Sequence, residues 1–267
     1  MKKNLRYGLI AVLVLVLLVV TAVMASAADE FELYDGGDNL LGRYNTLTAA
    51  FGAAASGDTI KLAGDVSGLS EFTFSSESAM TLTLDGQSNT LTFGENNGFV
   101  VGANMTLIVQ NLTIDRSADP VFGTLHSAFT VNTAGTDLTL SAVTITTKWC
   151  VGVSMGAKAN VTVNDYTSIR AFRFCFNLTN ASLGGLVTVN GEHTLVEPTK
   201  DPASDSTCTF YANGADVVIN NGTFYGVKYN TTNGGSFAGG LFATWGCTKA
   251  SAITINNGTF LSARGGT

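Results

Sequence analysis

Charged side chains are scarce in this sequence, since Asp, Glu, Lys and Arg make up only 13% of its 267 residues. Globular proteins usually carry about 25%. Thr, Asn, Ser and Gly fill the polar positions instead, which predicts a surface of hydroxyl and amide groups. The 20 acidic residues outnumber the 14 basic ones, and the basic residues form no cluster. The chain therefore lacks the electrostatic footprint of a nucleic-acid-binding protein.

Metal-binding motifs and proline are also scarce. The chain has no EF-hand loop, no HExxH motif and no CxxC pair, so no zinc site or resident cofactor is expected. Calcium among loop carboxylates is the one ion left open. The three prolines, Pro120, Pro198 and Pro202, fall between the repeated segments described below, where no sheet hydrogen bond is lost. With 45% hydrophobic residues the chain can bury a core, which argues against disorder.

Only one long hydrophobic run occurs, at residues 8–24, after Lys2, Lys3 and Arg6. Small residues follow it at 25–27, which is typical of a secretory signal cleaved after Ala27. Cleavage would leave 11 basic against 20 acidic residues, a net charge of −9. The alternative is an uncleaved membrane anchor, because a span needs about 20 apolar residues. Both readings predict a secreted or cell-surface protein, with membrane contact only through an uncleaved leader.

A short cassette recurs through the rest of the chain: two apolar residues flank one residue, and Asn, Asp, Ser or Gln follows. The seven copies occupy residues 82–86, 107–111, 138–141, 161–165, 187–191, 217–221 and 253–257. Further short strand-like segments precede and follow each copy. Such a repeat predicts an all-β fold, a right-handed parallel β-helix of about seven coils with three short strands each. An antiparallel sandwich is the alternative, but it does not require one cassette per coil.

Stacked coils bring like positions together at about 4.8 Å, so each position is expected to form a ladder. The outward middle position of the cassette is mostly threonine, and the turn position is mostly asparagine in the later copies. Asn side chains stacked in this way are expected to hydrogen-bond between coils. His193 follows a cassette, in the slot that Thr113, Thr144, Thr223 and Thr259 fill elsewhere, which predicts an outward strand residue.

The two ends of the solenoid differ. Apolar residues at helical spacing predict a helix at about 46–56, and with the first strand it forms an N-terminal cap over residues 28–65. The β-helix then occupies 66–267. No covering segment follows the last strand-like segment, so the C-terminal end is predicted to be uncapped. An open parallel edge templates further strands. This end is therefore expected to stack on a partner, to stack on another copy as in a filament, or to continue in a longer protein.

The sequence resembles the pectin-lyase-like right-handed parallel β-helix superfamily, and within it bacterial or archaeal adhesin-like surface proteins. The resemblance covers about residues 45–265 and rests on residues 46–51, 56–62, 82–86 and 89–91. It implies a non-catalytic adhesin, a glycan-binding protein or a structural envelope component. Some families of the superfamily are lyases or hydrolases of acidic polysaccharides. Their characteristic Asn-Thr-Asp, Asp-Asp, Gly-His-Gly and Arg-x-Pro-x-x-Arg elements are absent here. Cleavage of acidic polysaccharides is therefore kept only as the alternative to the non-catalytic functions.

Three long gaps between cassettes are expected to emerge at one corner of the solenoid and supply the candidate site. Carboxylates and a histidine on one side are the groups that acid–base catalysis needs. The catalytic candidates are Asp115, Asp119, His126, Asp201 and Asp205. Tyr229 and Trp245 are candidates for stacking on a sugar. Loops of solenoids are ordinarily polar, so the alternative is that these charges are merely solvated.

Four cysteines in an exported chain suggest disulfides. Cys150 and Cys175 lie 25 residues apart, about one coil, which predicts neighbouring coils within disulfide reach. Cys208 and Cys247 would form the remaining pair. The alternative for Cys150 and Cys175 is a buried, reduced ladder.

Overall fold

The computed structural model describes residues 30–95, 97–117, 126–148, 150–172, 174–199, 208–226, 240–244 and 251–261. The fold is a β-solenoid of about five turns with one short helix near the N-terminus. Strands make up 56% of it and helices 5%. The expected solenoid is therefore confirmed, with about five turns where the repeat predicted about seven coils. The leader at 1–27 lies outside the described residues, and no helix among those described is long and apolar enough to cross a membrane.

The N-terminal end is closed by a hairpin and a helix. Strand β1 (Phe31–Tyr34) pairs antiparallel with β2 (Leu40–Tyr44) and with β3 (Thr59–Leu62), and this hairpin was not predicted from the sequence. Helix α1 (Leu47–Ala53) begins after Thr46, whose Oγ1 accepts a hydrogen bond from the amide of Ala49 at 3.2 Å. The helix is shorter than the predicted 46–56, since Ala54 and Ala55 are not helical. Its buried side chains, Leu47 and Ala50, join the core.

Three faces build the solenoid from parallel strands. The face that carries the cassettes, called the cassette face, continues from β3 through β6 (Met80–Asp85), the first half of β9 (Met105–Arg116), the first half of β11 (Asp137–Thr147), β13 (Asn160–Val163), β16 (Leu186–Val189), β19 (Asp216–Ile219) and β22 (Ile253–Ile255). The next face along each coil, called the following face, comprises β4 (Val66–Leu69), β7 (Thr90–Phe93), the second halves of β9 and β11, β14 (Ser168–Ala171), β17 (Leu195–Pro198), β20 (Thr223–Tyr225) and β23 (Thr259–Leu261). The third, called the preceding face, comprises β5 (Phe72–Phe74), β8 (Phe99–Val101), β10 (Ser127–Val131), β12 (Val151–Met155), β15 (Phe174–Leu178), β18 (Cys208–Ala212) and β21 (Gly240–Ala243). A short 3-10 turn, η1 (Asn180–Ser182), lies between β15 and β16.

The core is formed by inward ladders of aliphatic and aromatic residues. The inward pair of each cassette is buried from Leu82 and Leu84 through to Val217 and Ile219. On the preceding face, Phe74, Phe99 and Phe129 form one aromatic run, with ring centroids 5.4 and 5.5 Å apart. In the last coil that the structure describes, the corresponding side chains are more accessible. Ile253, Ile255, Phe260 and Leu261 are each about 40–50% exposed.

The outward threonine ladder is confirmed by the strand register. Consecutive paired positions on the cassette face are Thr59, Thr83, Ile108, Thr139, Thr162, Thr188, Val218 and Thr254. The coils vary in length, but the extra residues lie outside the cassette strands. The cassette face therefore presents an ordered polar array to solvent.

The asparagine ladder is confirmed by hydrogen bonds that run in one direction. The Nδ2 group of each Asn donates to the preceding coil: Asn164 to Ser141 Oγ (3.0 Å), Asn190 to Asn164 Oδ1 (3.2 Å), Asn220 to Asn190 Oδ1 (2.8 Å) and Asn256 to Asn220 Oδ1 (2.6 Å). Aligned amides polarise one another, so such a chain strengthens with length. We call this edge, where the cassette face turns into the following face, the Asn corner.

Replacing Asn190 by alanine is expected to lower the free energy of unfolding by about 1–2 kcal/mol, because two amide hydrogen bonds are lost. Asn256→Ala, in the last described cassette, removes the one ladder bond that the structure describes for this residue and should cost about half as much. Urea unfolding followed by far-UV circular dichroism measures both. Equal effects of the two substitutions would show that the ladder does not act as a connected chain.

Candidate functional site

The three long gaps leave from one corner, as expected, because their described flanks occupy equivalent strand ends. The flanks are the ends of β9, β17 and β20 on the following face and the starts of β10, β18 and β21 on the preceding face. The gaps themselves fall largely outside the described residues. The same holds for the predicted site residues Asp119, Asp201, Asp205, Tyr229 and Trp245.

Two catalytic candidates are described. Asp115 lies on β9, paired between Thr92 and Thr146, and its half-buried carboxylate accepts a hydrogen bond from the amide of Ser117 at 2.8 Å. His126 is half-buried immediately before β10. Within the described ranges, no group of three or more His, Cys, Asp or Glu side chains is arranged to hold a metal ion.

The predicted disulfide between Cys150 and Cys175 is absent, and both residues are buried thiols. The reason is register: Val153 pairs with Phe176, 23 residues later, so Cys175 aligns with Gly152 instead of Cys150. The observed arrangement corresponds to the alternative of buried, reduced residues. Burial raises the pKa of the Cys175 thiol far above its ordinary value. Cys208 is also buried, and Cys247 lies outside the described residues.

A cluster of polar and aromatic side chains stands at the Asn corner instead. The rings of Tyr166 and His193, from adjacent coils, are stacked with centroids 4.6 Å apart and planes within 4°. Asp165 holds the histidine in two ways. Its carboxylate accepts a hydrogen bond from the backbone amide of His193 at 2.6 Å, and the Nδ1 atom of His193 lies 3.0 Å from Asp165 Oδ2. The Tyr166 residue is 64% exposed, so the stack faces solvent.

The corner projects at these two coils because it is longer there. In the coil before Tyr166, three residues, 141–143, separate the strand on the cassette face from the strand on the following face. The Tyr166 coil has four, 164–167, and the His193 coil has five, 190–194. The coil after it returns to three, 220–222. Tyr166 and His193 therefore form a step that stands out from the corner, and we call it the aromatic step.

Two buried contacts fix the longer corners to one another. Thr194 Oγ1, which is buried, donates to the carbonyl oxygen of Asn164 at 2.9 Å. Gly191 lies so close to the preceding coil that a Cβ there would clash with the backbone of Asp165. The aromatic step thus rests on a packed base.

The prediction that His193 occupies an outward strand slot is wrong. The slot of Thr113, Thr144 and Thr223 is filled by Ser168 and Leu195, and His193 lies in a turn before β17. Counting the residues from each cassette to the next strand would have revealed the longer corners at 164–167 and 190–194. The sequence of a single coil cannot show that Tyr166 contacts His193, because the two residues lie in different repeats.

The contact between Asp165 and His193, which is an ion pair when His193 is protonated, dominates the electrostatics of the step. The side-chain hydrogen bond from His193, followed by the bond from its backbone amide, lowers the pKa of Asp165. The same side-chain hydrogen bond raises the pKa of His193. A raised pKa means that protonated His193 stabilises the folded state. This contribution to stability is present below about pH 6.5 and disappears as pH rises through the pKa of His193 in the folded protein. The contribution of Asp165 is present above about pH 4 and disappears as pH falls through its lowered pKa.

Replacing Asp165 by asparagine is expected to lower the pKa of His193 towards its ordinary value, because the carboxylate that stabilises the imidazolium is removed. NMR titration of the imidazole resonances measures this directly. The chain contains only one other histidine, His126, which serves as an internal reference. An unchanged His193 titration in the variant would contradict the pairing.

These features define the class of the protein: a β-solenoid with polar outer ladders and an exposed aromatic step at one corner. Comparisons with family models, with curated proteins and with solved structures find no match to the chain.

Proposed function

We propose that this protein is a secreted or cell-surface β-helix of the right-handed, pectin-lyase-like and adhesin-like kind, which binds extracellular glycans without cleaving them. The observation that carries the proposal is the outward threonine ladder of the cassette face, in register from coil to coil and bordered by the asparagine ladder. The apolar leader in the sequence supports export.

Hydroxyl and amide ladders suit a polysaccharide for two reasons. Threonine and asparagine both donate and accept hydrogen bonds, as sugar hydroxyls do. Stacked strands hold these groups at about 4.8 Å intervals, so little conformational entropy is lost when a ligand binds. A rigid polar face of this kind favours a long, repetitive ligand over a small one.

The test incubates the purified chain with neutral and acidic polysaccharides, with and without calcium. It measures the bound fraction, new reducing ends and unsaturated products. We expect binding without turnover. Release of new ends or unsaturated products would overturn the non-catalytic reading, and absence of binding to every polysaccharide would overturn the proposal.

A matched pair of variants locates the binding face. Thr162→Val with Thr188→Val removes two central hydroxyls of the cassette face, and Val218 in the same ladder shows that the fold accepts valine there. We expect several-fold weaker binding. The control, Thr113→Val with Thr144→Val on the following face, should bind as the parent does.

A further inference from the structure

Tyr166 has a backbone conformation that its side chain does not favour. Its φ is +59°, in the left-handed region, which is uncommon for a bulky residue. The other non-glycine residues with positive φ in the described ranges are Asp38, Gln87, Ser88, Asn104, Asn111 and Ala142. Tyr166 is the aromatic one among them, and burial does not repay the strain because the residue is 64% exposed. The corner itself requires this conformation, since Asn111 and Ala142 at the same corner of the two preceding coils also have positive φ. What distinguishes the Tyr166 coil is a bulky aromatic side chain at such a position.

The ring of Tyr166 is held as a platform. One face stacks on His193, and Asp165 holds that imidazole through Nδ1 and through the backbone amide. Because His193 belongs to the next coil, we infer that the opposite face of the ring is directed towards the preceding coil, whose shorter corner carries Ala142. The amide of Ala142 donates to the carbonyl oxygen of Asp165 at 3.0 Å, which fixes the distance between the two corners. Since Tyr166 is 64% exposed although His193 stacks on one face of its ring, the accessible area lies on the rest of the ring, beside the small Ala142.

We propose that the aromatic step binds one uncharged pyranose ring of an extracellular polysaccharide, with the C–H face of the sugar against the outer face of Tyr166. This inference rests on the proposed glycan binding and places one subsite at the edge of the cassette face. The Asp165 carboxylate, whose side chain is 42% exposed, retains acceptor capacity for a sugar hydroxyl. Aromatic side chains contribute rigid contact area at low entropic cost.

The charges around the step favour an uncharged sugar over an acidic one. His193, when protonated, is balanced by Asp165, and the exposed Glu192 adds a negative charge. Arg170, on the neighbouring strand β14, is paired with Glu197 at 3.1 Å. The whole chain has a net charge of −6. A uronic acid would meet like charge at this corner.

Tyr166→Asn separates binding from folding. Asparagine tolerates the left-handed conformation better than tyrosine does, so the unfolding midpoint should stay unchanged or rise. Affinity for a soluble neutral glucan, measured by calorimetry, should fall at least tenfold. Tyr166→Phe keeps the ring and should bind as the parent does. Leu183→Ala removes a 42% exposed side chain at another corner and serves as the control.

NMR titration of the same glucan supplies a local readout. The His193 imidazole signals should shift and those of His126 should not. If Tyr166→Asn binds the glucan as tightly as the parent, the aromatic step is not the subsite, although glycan binding stands. If the parent binds polygalacturonate more tightly than the glucan, the sugar class is wrong. If the parent binds neither polymer, the inference falls, and the proposed function falls with it only if the other polysaccharides of the panel also fail to bind.

Discussion

Replacing Phe210 by alanine is expected to lower the free energy of unfolding by about 3–5 kcal/mol, the usual cost of deleting a buried phenylalanine ring. Phe210 is fully buried on the preceding face. Its ring stacks on Phe176 at 4.8 Å and on Phe242 at 5.1 Å. Truncation would leave a cavity between two coils, and both neighbouring rings would lose a contact.

Phe260→Ala provides the matched control. Phe260 is 39% exposed and stacks only on Phe224 among the described aromatic residues, at 5.4 Å. We expect a loss below about 2 kcal/mol, because less apolar area leaves water. Denaturant unfolding measures both variants, and hydrogen exchange shows whether the loss stays within neighbouring coils, as expected for a repeat protein. Similar losses in the two variants would contradict the assignment of Phe210 to the centre of the core.

Gly86→Ala is expected to cost about 1–3 kcal/mol or more, because the added methyl group has no room. A Cβ at Gly86 would lie 2.5 Å from the carbonyl oxygen of Asn111 and 2.6 Å from the Cα of Leu112. Both atoms belong to the backbone of the next coil, so the coils would have to move apart. The hydrogen bond from the Gly86 amide to the Gln110 carbonyl, 2.8 Å long, would be disturbed at the same place.

The control for this substitution is Gly64→Ala. A Cβ at Gly64 meets nothing within 4 Å, so the variant should be as stable as the parent or slightly more stable. Thermal and urea unfolding compare the two variants under the same conditions. A stable Gly86→Ala variant would show that the spacing of the first coils is not held by this close approach.

The cassette was sufficient to predict the ladders. Thr139, Thr162 and Thr188 are in register because each strand of a parallel stack repeats the inward and outward alternation of its neighbour. The Asn190 hydrogen bonds follow from the same repetition. A pattern that recurs within every coil can be read from neighbouring residues alone, so the ladders that it produces are predictable from the sequence.

Predictions that depended on distance between coils were less successful. The disulfide prediction assumed a step of 25 residues, and the actual step from Val153 to Phe176 is 23. The strand position predicted for His193 fails because its corner holds five residues, two more than the corner of the coil after it. A shift of two residues along a strand moves a side chain by about 6–7 Å, enough to break a disulfide or form a new cluster.

The sequence by itself determined the solenoid, its inward aliphatic ladders and its outward threonine and asparagine ladders, because these depend on a periodicity written into each repeat. Only the tertiary structure decided that Tyr166, His193 and Asp165 meet. Their residues belong to different coils, and their contact depends on how far each corner projects. The aromatic step thus arises where the repeat is irregular, since its two corners hold four and five residues and the corners before and after them hold three.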